Sequence, residues 1–84
     1  MQFVTLFKIL PGKYMEAIRI LKKPKIPQGV KINTFLGTFG DYDGVVIFSA
    51  DNEEAAAEFI IQFGDYVHPT TMLATPIEKL RWTR

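Results

Sequence analysis

Asp41, Tyr42 and Asp43 put two carboxylates and a phenol into three consecutive residues, with Gly40 and Gly44 on either side. Hard cations take oxygen ligands of this kind, and the same groups could hold a polar substrate. Turn chemistry explains them more simply. Aspartate tolerates left-handed backbone and bonds its own main chain, glycine has no Cβ, and Asp-Gly ahead of Val45-Val46-Ile47-Phe48 is a strong hairpin signal. We therefore read the stretch as a tight turn with Gly44 at positive φ and Tyr42 packing at its rim.

His68 is the single histidine, and cysteine is absent. No multi-histidine or cysteine-based metal site can form within one chain, and no metal or cofactor is expected. An imidazole on an apolar strand is usually a structural group, yet its chemistry near neutral pH makes His68 the best acid–base candidate in the chain. If it acts, it is expected to line a pocket, with Tyr42 and Thr5 as further polar contacts. Asp51, Glu53 and Glu54 stand where a helix start calls for negative charge and are read as a cap rather than a metal cluster. Arg19, Lys22, Lys23, Lys25 and Lys31 form the densest basic region, but no aromatic residues interleave with them to stack bases. They read as a solvated face, not as a nucleic-acid site.

These residues need a scaffold, and 84 residues with 48% hydrophobic and 23% charged side chains provide one soluble globular domain, 1–84. So short a chain buries a modest share of its surface, and without cysteine the natural supplement is a second copy of itself. Ten basic residues against nine acidic ones give a formal charge of +1, far from the excess of a dedicated nucleic-acid binder. No apolar run approaches the roughly 20 residues of a membrane span, and the N-terminus lacks a basic region followed by a cleavage site. A cytoplasmic protein without a membrane segment is the expectation.

From Gln2 to Leu10 the chain is apolar on both faces, with Phe3, Phe7 and Ile9 opposite Val4, Leu6 and Leu10, as in a central strand. Pro11-Gly12 ends it. Tyr14, Ala17, Ile18 and Leu21 then recur at helical spacing over Lys13 to Lys23, until Pro24 and Pro27 forbid continuation. Val30, Ile32, Thr34 and Leu36 alternate with Lys31, Asn33 and Phe35, the period of a half-buried edge strand. Val45 to Ala50 is again apolar on both faces. Asp51 as N-cap with Glu54 at the third helical position opens a second helix, whose stripe of Ala56, Phe59, Ile60 and Phe63 runs to a C-cap at Gly64. Tyr66 to Thr75 supplies a fourth strand, with Val67, Thr71 and Leu73 opposing His68, Thr70 and Met72. A last helical turn is expected after Thr75-Pro76, packing through Ile77, Leu80 and Trp82. The order is βαββαβ, an α+β sandwich with both helices on one face of a four-stranded antiparallel sheet.

Gly40, Tyr42 and Asp43, set between an apolar strand and the Val45-Val46-Ile47 run with its acid-capped, alanine-rich helix, resemble the signature of the GYD domain family. The similarity extends to Pro11-Gly12-Lys13 and the closing strand. It implies a ferredoxin-like protomer that pairs sheet to sheet into a dimeric α/β barrel, and it brings no catalytic residues, since the class has no assigned activity.

The residues leave three functions open. One is a homodimeric domain that binds a small apolar or aromatic ligand between sheet and helices or inside the barrel, with His68, Tyr42 or Thr5 making polar contacts. Another is a cofactor-independent oxygenase or isomerase with His68 as acid–base group and Tyr42 as hydrogen-bond donor. The third is a purely structural or interaction module.

Overall fold

The computed structural model describes residues 1–81. Strand β1 (Gln2–Ile9) leads through helix α1 (Tyr14–Lys22) to β2 (Val30–Gly37), then β3 (Gly44–Ala50), helix α2 (Glu53–Ile61) and β4 (Val67–Ala74). The four strands pair antiparallel in the order β2-β3-β1-β4, so the strands that are apolar on both faces take the centre. Both helices cover one face, and this is a ferredoxin-like α+β fold.

Under the helices lie Phe3, Thr5 and Phe7 of β1 and Val46, Phe48 and Ala50 of β3, all buried with Ala17, Ala56, Phe59, Ile60, Phe63 and Val67. Six of the seven phenylalanines form one chain of ring contacts: Phe3 stacks on Phe48 at 5.5 Å, and edge contacts run through Phe59, Phe63 and Phe35 to Phe7. Each such pair adds about 0.5–1.5 kcal/mol beyond area burial.

Several expectations change in the structure. Strict alternation would put Thr34 and Leu36 beside Ile32, but the register of β2 slips between Ile32 and Thr34. Ile32 opposes Phe48 on the helix side, Thr34 opposes Ile47 on the other side, and Phe35 returns to the helix side opposite Val46. The extra residue, Asn33, reverses the parity of the strand and delivers Phe35 to the core.

The turn at the middle of the chain is a loop over residues 38–43, closed by the Thr38 N–H on the Asp43 carbonyl at 3.0 Å and by Thr38 Oγ1 on the Tyr42 carbonyl at 2.7 Å. Positive φ belongs to Gly40, at 153°, and not to Gly44. Gly44 is a buried strand residue, and a Cβ there would stand 2.3 Å from the Phe7 ring and 3.1 Å from the Leu36 carbonyl oxygen. Close packing, not turn conformation, selects its glycine.

The N-cap of α2 is Asn52, whose Oδ1 accepts from the Ala55 N–H at 2.8 Å, one residue later than Asp51. Glu53 and Glu54 do occupy the first turn. Gly64 has no left-handed φ; α2 ends instead in tight turns, with the Phe63 N–H on Ile60 and the Gly64 N–H on Ile61. Tyr14, expected in the buried stripe of α1, is exposed, and Ala17 is the one fully buried residue of that helix. After β4 the last turn, Ile77–Lys79, leaves Ile77 exposed, and Trp82 lies outside the described residues.

Candidate functional site

Helix α1 buries Ala17 fully and packs Ile20 and Leu21 against the core, while Ile18, Ile20 and Leu21 stay only half-buried. A cleft of about 510 Å³ lies between α1, the segment that follows it and the β2 side of the sheet. A volume of this size suits a small organic molecule. Its floor is Phe7, Ile9, Ile32 and Phe35; its walls are Ile18, Leu21 and Lys22 on one side, Pro24 and Ile26 above, and Leu36, Gly37 and Asp43 at the far end.

The covering segment is held by a side chain from the other helix. Gln62 Oε1 accepts the Lys25 backbone N–H at 2.9 Å, while Gln62 Nε2 donates to the Lys25 carbonyl at 2.7 Å and to the Phe59 carbonyl at 2.8 Å. One amide thereby imitates a strand neighbour for Lys25 and fixes Pro24 and Ile26 over the cleft. A second, smaller hollow of about 390 Å³ lies between α2 and β4, against Phe3, Ala57, Ile60, Ile61 and Thr71.

The sequence-derived candidates fall elsewhere. Thr5 is 1% exposed on the helix side, and its hydroxyl shares a 2.8 Å hydrogen bond with Thr71 Oγ1, so a ligand cannot reach it in this structure. His68 is exposed on β4 and lines neither hollow. Register places it beside Lys8 on the face away from the helices. Tyr42 is exposed in the β2–β3 loop, and the Lys8 ammonium sits 5.5 Å from the centroid of its ring, a cation–π distance. Lys8 thus joins Tyr42 and His68 at one end of the open sheet face, whereas Thr5 belongs to the opposite face.

That open face carries two in-register rows, Leu36–Val45–Leu6–Thr70 and Thr34–Ile47–Val4–Met72. Leu36, on edge strand β2 where it also borders the cleft, and Met72 are exposed, and the four residues of the central strands are half-buried by their neighbours.

The carboxylates do not converge. Among the described residues no group of three or more histidine, cysteine, aspartate or glutamate side chains could hold a metal ion. Asp43 Oδ2 accepts the Ile9 backbone N–H at 2.7 Å, and Asp41 is exposed. Sequence reasoning missed Lys22 as a cleft residue and Gln62 as the clamp on the segment that covers it. Nothing in the periodicity of α2 marks Gln62, which lies just past its last apolar turn, and Lys22 was hidden in a basic run.

The fold and the cleft define a small ferredoxin-like α+β domain with an apolar hollow under its first helix. The chain belongs to the family described as Domain of unknown function (DUF3303), whose model matches residues 1–82. No curated protein matches it. Among solved structures it is similar to an uncharacterized NIPSNAP domain protein from Burkholderia xenovorans, with a TM-score of 0.56 and 17% identity over 100% of this chain and 99% of that one. At that identity the likeness establishes the fold alone. Among the described residues no helix is long and apolar enough to cross a membrane.

Proposed function

We propose that this protein is a cytoplasmic homodimeric domain that binds a small apolar or aromatic ligand in the cleft beneath α1. The observation that carries the reading is the cleft itself, about 510 Å³ lined mainly by aliphatic and aromatic side chains and covered by the segment that Gln62 clamps. Burial of ligand surface there supplies the affinity, at roughly 25 cal/mol per Å² of apolar area removed from water.

Pairing through the open sheet face is the assembly we infer. Leu6, Val45, Ile47 and Val4, with Leu36 and Met72 beside them, form a continuous apolar surface that a second copy would cover. A side chain of this kind contributes about 1.5–3 kcal/mol on going from full exposure to full burial, and less here because four of the six are already half covered. The resemblance of Gly40, Tyr42 and Asp43 to the GYD signature supports the same sheet-to-sheet barrel.

Calorimetric titration with a neutral aromatic probe, 4-butylbenzamide, tests the ligand reading. Saturable binding at one site per chain is expected, with its loss in Ile18→Trp, which fills the cleft while circular dichroism stays unchanged. No saturable heat, or heat indifferent to Ile18→Trp, would refute it and favour a purely structural module.

A second reading, a cofactor-independent oxygenase or isomerase, draws on the meeting of Tyr42, Lys8 and His68 at the end of the open face. In a sheet-to-sheet barrel that end borders the interior. Turnover of an aromatic substrate that His68→Gln abolishes without loss of fold would favour it.

A further inference from the structure

We propose that the cleft selects amphipathic organic anions, an apolar body with one carboxylate or similar acidic head, and that Lys22 is the residue that reads the head. The inference rests on the reading of the cleft as a ligand site. Between Ala17 and Gly40 the chain holds Arg19, Lys22, Lys23, Lys25 and Lys31 and not one acidic residue. This stretch builds the C-terminal half of α1, the covering segment and β2, which are the walls of the cleft. Of these five, Lys22 lines the cleft, Arg19, Lys23 and Lys25 are exposed on the elements beside it, and register puts Lys31, opposite Ser49, on the other face of the sheet.

Within that stretch the pattern alternates. Lys22, Pro24 and Ile26 line the cleft, while Lys23 and Lys25 lie between them in sequence and stay out of its lining; all three lysines are exposed. The lysine stem can run along the apolar wall with its ammonium at the mouth. The one acidic residue in the lining, Asp43, stands at the far end, and its carboxylate is occupied by the Ile9 N–H at 2.7 Å. The two ends therefore differ in sign. An acid head is attracted to the Lys22 end and repelled from the Asp43 end, which orients the ligand along the cleft with its ring against Phe7 and Phe35. The surrounding positive potential steers such anions toward the mouth.

Parallel calorimetric titrations of the full chain with 4-butylbenzoate and 4-butylbenzamide at low salt test the idea, since the two probes share size and shape and differ in charge. The acid is expected to bind about tenfold tighter through one charge-assisted contact, with the gap narrowing as salt rises. Lys22→Met should bring the acid down to the affinity of the amide. Lys13→Met, the same charge change at a residue outside the cleft, should keep the gap. Equal affinity for the two probes, or a gap that Lys13→Met closes as well as Lys22→Met, would overturn the head-group inference while leaving the cleft as an apolar site. Absence of saturable binding by either probe would overturn both.

Discussion

Asp43 and Ile9 meet where β1 ends and β3 begins: the Asp43 carboxylate accepts the Ile9 backbone N–H at 2.7 Å, and the Asp43 N–H donates to the Phe7 carbonyl at 2.9 Å. One residue of the β2–β3 loop thereby continues the β1–β3 ladder past its last pair, Phe7 with Gly44, and satisfies a donor that no backbone group of β3 reaches. The carboxylate serves a neighbouring strand, while the backbone carbonyl of the same residue closes the turn on the Thr38 N–H. Asp43→Ala should lower stability by about 1–2 kcal/mol, and Asp43→Asn, which keeps an acceptor, by less. Asp41→Ala, at an exposed position, should stay within about 0.5 kcal/mol. Urea midpoints measure this, and equal midpoints for the two alanine variants would contradict it.

Gly44 separates two explanations of one glycine. A turn residue at positive φ would accept asparagine better than alanine. A residue that is glycine because the Phe7 ring occupies the place of its Cβ, 2.3 Å away, would accept neither. We expect Gly44→Ala and Gly44→Asn each to destabilise by about 1–3 kcal/mol or more, the range of overpacked cores. In a Phe7→Leu background the added penalty of Gly44→Ala should shrink. A double-mutant cycle showing no coupling between the two sites would refute the packing account.

Gln62 links the helices to the cover of the cleft. Gln62→Ala removes three hydrogen bonds to backbone groups at Lys25 and Phe59, all at the surface or partly buried. A loss of about 1–2 kcal/mol in stability is expected. Amide exchange at Lys25 should accelerate, and the affinity for 4-butylbenzamide should fall because Pro24 and Ile26 are no longer held. Unchanged exchange at Lys25 would show that the clamp does not order this segment.

For assembly, sedimentation equilibrium at micromolar concentration should give a dimer. Ile47→Lys, at the centre of the open face, should yield a folded monomer. A wild-type chain that stays monomeric and well folded would exclude the barrel.

How much of this could be read from the residues depends on how local the cause is. The two-sided apolarity of Gln2 to Leu10 and of Val45 to Ala50 announces central strands, and the structure has them there. Period alone could not foresee the slip at Asn33, because the signal of a bulge is the pairing partner, and so Phe35 was assigned to the wrong face. The helix start after Ala50 was visible in its run of polar and acidic residues, while the choice of Asn52 over Asp51 depends on φ and on the reach of one side chain. The site was less visible still. His68 drew attention as a chemically versatile residue, yet it lies on the exposed end of β4 beside Lys8. Lys22 looked like one charge among five, and only the seating of α1 shows that its stem lines a hollow. Gln62 acts on a segment far away in sequence, and no local pattern encodes that.

The most direct measurement follows backbone amide shifts by NMR during titration with 4-butylbenzamide, since β1 and β3 report both faces of the sheet from adjacent residues. Ligand in the cleft should shift Phe7, Ile18, Ile32 and Phe35 along one saturable curve, with Leu6, Val45 and Ile47 moving least. The largest shifts at Leu6, Val45 and Ile47, or no saturable shift anywhere, would contradict a ligand site beneath α1.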